Sequence, residues 1–394
     1  EANLPSESNV SRVVFNSCAV TSEAVRQVKQ SIRKTRRQNP DVEIVVTGCA
    51  AQIDPEIFEH MAEVDHVIGN EEKLSPDIWS RLSTERVIVN DIMNIKETAP
   101  QMVAGFKGRF RAFAQIQQGC DHRCTFCIIP YGRGNSRSVP IGEIVKQFRL
   151  LIKNGYKEFV LTGVDITSYG PDLPGQPRLG TMIKRLLKNV EGIERLRLSS
   201  VDPSEIDEDL LDLIANEKRL MPSLHLSVQA GNDLILKRMK RRHLRDDVIK
   251  LSTLLREIRP DIVLGADLIA GFPTETEEMF KQTIDLISEA ELLHLHIFPY
   301  SARTGTPAAK MPQVTSNIKK MRARLLREAG AELVAEHLSK RVGRIETVLL
   351  EQNDTGYTDQ FFPMKVYGDH QPGEIITAKV DNVMEDNTLV GSTS

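Results

Sequence analysis

The sequence predicts an α/β chain in three parts: a parallel-sheet domain, a partial (βα)6 barrel and a small closed β-barrel. Three observations carry that reading. The first hundred residues alternate strand-like and helix-like segments as β-α-β-α-β, and strands separated by helices form parallel sheets. From about residue 109 a strand-then-helix pattern recurs six times, as in a barrel or part of one. Beyond about residue 340 the chain changes to short strands broken by Gly356, Gly368, Pro372-Gly373 and Asp386-Asn387, the pattern of a small barrel of the OB kind.

In the first part, Arg12-Val13-Val14-Phe15-Asn16 reads as a buried strand. Thr21-Ser22-Glu23-Ala24 opens a helix with hydroxyls able to cap it, and the helix ends near Asn39-Pro40. A second strand at 43–47 runs into Gly48-Cys49, 55–61 looks helical, and His66-Val67-Ile68 is a third strand. We assign 1–104 to this Rossmann-like domain, with the Pro- and Gly-bearing stretch 90–108 as a linker. The second part, 109–337, has candidate strands at 110–117, 158–161, 195–198, 224–229, 262–268 and 293–298. The third, 340–394, has candidate strands at 346–350, 362–366, 375–380 and 388–390.

At 394 residues the chain is too long for one ordinary core. Hydrophobic content of 40%, charged content of 27% and a net charge of −3 describe a globular protein whose bulk charge does not announce nucleic acid. No apolar run is long enough to cross a bilayer, so no membrane partner is expected. The opening residues have neither the basic start nor the apolar core of a secretory signal. They also lack Met, which reads as a chain beginning inside a longer gene product. Five cysteines are too few and odd in number for a disulfide scaffold; thiolate chemistry in a reducing cytoplasm is expected instead.

Three of the five, Cys120, Cys124 and Cys127, are spaced Cys-x3-Cys-x2-Cys just after the first barrel strand. Structural zinc closes with four protein ligands, whereas three thiolates on an iron–sulfur cubane leave one iron open to a cofactor. Zinc with a distant fourth ligand is the other reading. Polar and Gly-bearing motifs follow every candidate barrel strand, and in a parallel barrel those ends form the face where active sites sit. Cys18 and Cys49 each follow a strand of the first domain; parallel neighbouring strands would place both thiols on one sheet edge, though two buried structural cysteines fit as well.

Asn16-Ser17-Cys18-Ala19-Val20-Thr21, Thr47-Gly48-Cys49-Ala50-Ala51-Gln52 and Gly119-Cys120 through Gly134, with Ser136-Arg137, resemble the methylthiotransferases of the radical S-adenosylmethionine class. The resemblance runs in the family's order along essentially the whole chain. It implies an N-terminal methylthiotransferase domain, a radical S-adenosylmethionine barrel and a terminal TRAM domain. It also implies two 4Fe-4S clusters and S-adenosyl-L-methionine as cofactors, with an electron donor as partner. Cys120, Cys124 and Cys127 would ligate the cluster that binds S-adenosylmethionine. Cys18 and Cys49 would ligate the second, whose third cysteine is expected before Glu1. No side-chain catalyst is assigned. For S-adenosylmethionine, Gly163 and Asp165 would meet the ammonium, Ser227 and Gln229 the ribose side, and the strand carrying Asp267 and Gly271 the adenine; each glycine also reads as a simple turn residue. Arg133 and Arg137 would meet a carboxylate or phosphate, or remain solvated loop charges.

The family modifies an adenosine beside the tRNA anticodon or an aspartate of a ribosomal protein. Three basic runs favour the tRNA anticodon loop: Arg26, Lys29, Arg33, Lys34, Arg36 and Arg37; Lys237, Arg238, Lys240, Arg241, Arg242 and Arg245; Lys319, Lys320, Arg322, Arg324 and Arg327. Solvated helix faces are the bland reading of each run. The terminal domain is acidic, so Phe361, Phe362 and Tyr367 would act there by stacking or serve as core. The motifs most resemble the branch acting on N6-threonylcarbamoyladenosine. The isopentenyladenosine branch is the runner-up, and a non-enzymatic metal-containing RNA-binding protein is the reading from a different class.

Overall fold

The computed structural model describes residues 10–82, 84–96 and 110–393; most of the expected linker, 97–109, lies outside the described residues. The chain forms two compact units. One comprises 1–99, 119–135 and 301–310; the other comprises 100–118, 136–300 and 311–394.

The first unit is built on a parallel sheet of four strands, Arg12–Ser17, Glu43–Gly48, His66–Ile68 and Val87–Ile88. The last is too short for periodicity to reveal. Thr21 is in extended geometry, and its hydroxyl accepts from the Ala24 N–H at 3.1 Å to cap the helix Ser22–Gln38. Glu23 in the first turn and Arg36 and Arg37 in the last complement the helix dipole. The core gathers Ile32, Ile44, Val46, Phe58 and Val67, and Ile128 joins it from the segment that follows the cysteine triad.

The second unit holds six parallel barrel strands: Arg111–Gln115, Glu158–Thr162, Arg195–Leu198 continued by Ser200–Val201, Ser223–Gln229, Val263–Ala270 and Leu292–Pro299. All six expected strands are present. Along the fourth, Leu224, Leu226 and Val228 are buried while Ser223, His225, Ser227 and Gln229 are half-buried. The two-residue period of a strand therefore sends polar groups to one side and apolar groups into the core.

The terminal domain closes into a five-stranded barrel, Ile345–Leu350, Thr355–Thr358, Pro363–Tyr367, Leu389–Ser392 and Ile375–Val383. The strand Thr355–Thr358 was not expected, because Gly356 reads as punctuation. Its glycine instead permits close approach: a Cβ there would stand 2.0 Å from the Leu349 carbonyl oxygen.

A buried ion cluster joins this small barrel to the larger one. Glu158, fully buried, is bonded by Arg111, by Arg195 at 3.3 Å and by Arg197 at 2.9 Å. Arg195 also donates to the Thr347 and Tyr357 carbonyls and pairs with Asp359, and Arg197 donates to the carbonyls of Thr358 and Asp359. Burial alone would raise the Glu158 carboxyl, but the three guanidinium groups hold it below its ordinary range. Removing one partner of such a network strands buried charge. Glu158→Gln should cost about 3–5 kcal/mol, read as a lower urea midpoint; an unchanged midpoint would show that the cluster does not hold this unit together.

Candidate active site

All five cysteines belong to the first unit, and none is disulfide-bonded. The strands Arg12–Ser17 and Glu43–Gly48 pair in parallel with Ser17 opposite Gly48, so Cys18 and Cys49 leave one edge of the sheet side by side. The buried Ser17 hydroxyl fixes that edge: it donates to the Thr47 carbonyl at 2.5 Å and accepts from the Ala51 N–H at 3.1 Å. Gly48 takes φ of +97°, where a Cβ would meet the Ser17 backbone at 2.2 Å. Cys49 then opens the short helix Cys49–Ile53 and is buried, whereas Cys18 is exposed.

The triad lies on a loop in which the Cys127 N–H donates to the Cys124 carbonyl and the Cys120 N–H to the Gly134 carbonyl. Its three thiols are half-buried. The helix Ile129–Arg133 follows directly and packs on the helix that Cys49 opens. A Cβ on Gly132 would lie 3.0 Å from the Cys49 Cβ. Arg133 Nε donates to Cys49 Sγ at 2.9 Å, and Asn70 Nδ2 donates to the Gly132 carbonyl at 2.6 Å and approaches Cys49 Sγ at 3.7 Å. Lys73 bonds Asn70 Oδ1 at 2.8 Å. Burial, then the Arg133 charge, pushes the Lys73 amine down to about 8 against the opposing pull of Cys49. Arg133 is thus bonded to a thiol and Arg137 is buried; neither is the solvated loop charge that their sequence allows.

In the second unit, the N–H groups of Val164 and Asp165 donate to Gln117 Oε1. A Cβ on Gly163 would crowd the Gln117 carbonyl at 2.8 Å. The Asp165 carboxylate accepts from Thr167 and Ser168. Gln229 ends its strand at φ of +72°, a conformation uncommon for a side-chain-bearing residue. Ser227 and Asp267 are linked through Ser200, whose hydroxyl lies 2.8 Å from Ser227 Oγ and 3.3 Å from Asp267 Oδ2. Gly271 belongs to a different network: its N–H donates to Glu275, which pairs with Arg322 at 2.8 Å. Burial lifts the Glu275 carboxyl to about 7 despite that guanidinium.

Sequence reading missed His225 and His296, whose ring nitrogens stand 3.1 and 3.2 Å from Asp267 Oδ1. Burial would raise Asp267, but these two hydrogen bonds outweigh it and hold the carboxyl well below its ordinary range; the same bond raises His296. The signal was present in the alternation Ser223-x-His225-x-Ser227-x-Gln229 and His294-x-His296, which in a strand brings every second residue to one face.

The basic runs are largely consumed by the fold. Arg36 donates to the Pro40, Val42 and Glu63 carbonyls and pairs with Asp65. Arg26 pairs with Glu23, Arg241 and Arg242 with Asp202, Arg245 with Glu289, and Arg322 with Glu275. Phe362 is core, Phe361 stacks on Tyr357 beneath Arg111 and Arg197, and Tyr367 is exposed. No helix among the described residues is long and apolar enough to cross a membrane.

Residues 115–287 match the radical SAM superfamily, and residues 2–69 match an uncharacterized protein family, UPF0004. A relative from Rickettsia prowazekii, named threonylcarbamoyladenosine tRNA methylthiotransferase MtaB, is 53% identical over 94% of this chain and 88% of its own length. A relative of the same name from Aquifex aeolicus is 37% identical over 92% of this chain and 89% of its own length. A tRNA-2-methylthio-N(6)-dimethylallyladenosine synthase from Acetivibrio thermocellus is 32% identical over 96% of this chain and 78% of its own length. Among solved structures, the radical S-adenosylmethionine methyltransferase TsrM from Kitasatospora setae shares the fold, with a TM-score of 0.57 and 16% identity over 77% of this chain and 66% of that one.

The Ser17 hydroxyl is the joint on which the thiol-bearing edge depends. Ser17→Ala leaves a buried carbonyl and N–H without that partner, at a cost of about 1–3 kcal/mol. Hydrogen exchange at Ala51 should accelerate accordingly; unchanged protection would mean that the edge is held some other way. From the matched models, the relatives and the shared fold together, the chain belongs to the radical S-adenosylmethionine methylthiotransferase family, with the MtaB proteins among its relatives.

Proposed function

We propose that this chain adds a methylthio group to C2 of N6-threonylcarbamoyladenosine next to the anticodon of tRNA. The observation that carries the proposal is the gathering of all five cysteines in one compact unit, with Cys49 bonded by the helix that follows the triad. The names of the MtaB relatives supply the substrate.

The residues fit iron–sulfur chemistry. Cys120, Cys124 and Cys127 would hold a 4Fe-4S cluster with one open iron, and Cys18 and Cys49 would contribute to a second. With S-adenosylmethionine bound, these groups supply the radical and sulfur chemistry that no side chain provides. The chain's own residues position and tune them. Arg133 Nε and Asn70 Nδ2 present N–H groups toward Cys49 Sγ, and hydrogen bonds to ligand sulfur set cluster potential and stability. Gly163 and Asp165 would meet the S-adenosylmethionine ammonium, Ser227 and Gln229 its ribose, and the strand of Asp267 and Gly271 its adenine.

On the first-unit helix, the exposed Lys34 and Arg37 and the half-buried Lys29 are better phosphate contacts than their paired neighbours, and Tyr367 is the terminal-domain ring placed to stack. We assign 1–104 to the methylthiotransferase N-terminal domain, 109–337 to the barrel and 340–394 to the TRAM domain. The reading calls for an electron donor as partner, and cluster chemistry on tRNA would suit a reducing cytoplasm.

Mass spectrometry of tRNA nucleosides tests the reading. Cells lacking the gene should lose 2-methylthio-N6-threonylcarbamoyladenosine and accumulate its precursor. The full protein should restore it, and the triple variant Cys120→Ala, Cys124→Ala, Cys127→Ala should not. In vitro, the same variant should lose reductive cleavage of S-adenosylmethionine. Restoration of the methylthiolated isopentenyl nucleoside instead would reassign the substrate, and retained cleavage in the triple variant would overturn the cluster assignment.

A further inference from the structure

His225, Asp267 and His296 come from three adjacent barrel strands and converge on one point; the strand of Asp267 is also the one proposed to meet the adenine, but the two histidines have no part in the proposed clusters, cofactor contacts or substrate. His225 Nε2 and His296 Nδ1 both face the same oxygen, Asp267 Oδ1, at 3.1 and 3.2 Å. The three ligand-type atoms all lie within 4.8 Å of one another. Donors about 2.1 Å from one divalent ion stand about 3.0–3.4 Å apart in octahedral or tetrahedral geometry, so the two nitrogen–oxygen separations suit a coordination edge as well as a hydrogen bond.

The surroundings are built for the two rings. Strand register sets His225, Gly265 and His294 in one row and Asp267 beside His296. A Cβ on Gly265 would lie 2.6 Å from His225 Nδ1, so only glycine leaves room for that ring. The His225 and His296 rings stand 4.4 Å apart. Ser200 Oγ approaches the second carboxylate oxygen, Oδ2, at 3.3 Å and is itself bonded to Ser227 at 2.8 Å. An outer partner of this kind orients a ligating carboxylate. The group opens on a cavity of about 600 Å³ whose wall includes Phe113, Arg197, Phe361 and Phe362.

We propose that His225, Asp267 and His296 form a binding site for a divalent transition-metal ion, separate from the cysteine-held clusters. Two imidazoles and one carboxylate are the donor set of catalytic zinc and of non-haem iron sites that keep open positions. Here the remaining positions face the cavity, so the ion can take water or an oxygen-bearing ligand from it. Without the ion the same groups rest as a hydrogen-bonded carboxylate and imidazole pair.

The test is equilibrium dialysis of the anaerobically cluster-loaded full chain against micromolar Zn2+, with zinc and iron counted separately by mass spectrometry. Loaded cysteines are occupied by iron, and a low iron count would expose failure of the cluster reading independently of the zinc result. The wild-type chain should retain about one zinc beyond background. Asp267→Asn and His296→Gln should each weaken retention by at least about tenfold with iron unchanged. The His296 side chain is 64% exposed, so His296→Gln probes the site without opening a core, and the melting temperature of each variant checks the fold. Gly265→Ala, which crowds the His225 ring, should weaken zinc in the same direction. Background zinc in the wild type, or retention that His296→Gln and Asp267→Asn leave unchanged in folded protein, would overturn the proposal.

Discussion

The close seam between the helix Ile129–Arg133 and the helix Cys49–Ile53 is the constraint on which the first unit's chemistry depends. A glycine at 132 brings one backbone against Cys49, Asn70 bonds the Gly132 carbonyl, and Arg133 reaches the Cys49 sulfur. Cys49 and Arg133, 84 positions apart in the chain, are thereby fixed to one another. The triad immediately precedes this helix, so its loop inherits the same anchor. Ile128, buried in the first unit's core, adds an apolar tie that needs no metal.

The second unit obeys a simpler rule. Parallel strands alternate their side chains, so each buries an apolar row under helices and turns the other row inward. Where that inward row is polar, the barrel acquires chemistry: Ser200, His225, Ser227, Asp267 and His296 share one network. The charge cluster centred on Glu158 works on the same principle, with guanidinium groups balancing a carboxylate that burial would otherwise neutralise.

Much of this was legible in the chain. The strand-helix order gave the parallel sheet and the six barrel strands, and the thiol spacing with its flanking motifs gave the family. Three short strands escaped, among them Arg137–Ser138, which has two residues. Val87–Ile88 carries only two residues, and Thr355–Thr358 hides a strand glycine that looks like a turn. Sequence counts the charges of the basic runs without their partners, so it could not separate Arg36, Arg241 and Arg322, which are spent on carbonyls and buried carboxylates, from the exposed Lys34 and Arg37. The pairing of Arg133 with Cys49 and the meeting of His225 with His296 depend on tertiary approach, which no local window encodes; only the polar alternation along their strands hinted at the second.

The proposed function rests on the thiols holding iron and sulfide rather than zinc or a disulfide. The most direct measurement is electron paramagnetic resonance on anaerobically reconstituted, reduced protein before and after S-adenosylmethionine is added, with iron and acid-labile sulfide quantified on the same sample. The account predicts cubane signals, one of which changes on addition of S-adenosylmethionine. Zinc without acid-labile sulfide, or a cluster signal indifferent to S-adenosylmethionine, would contradict it.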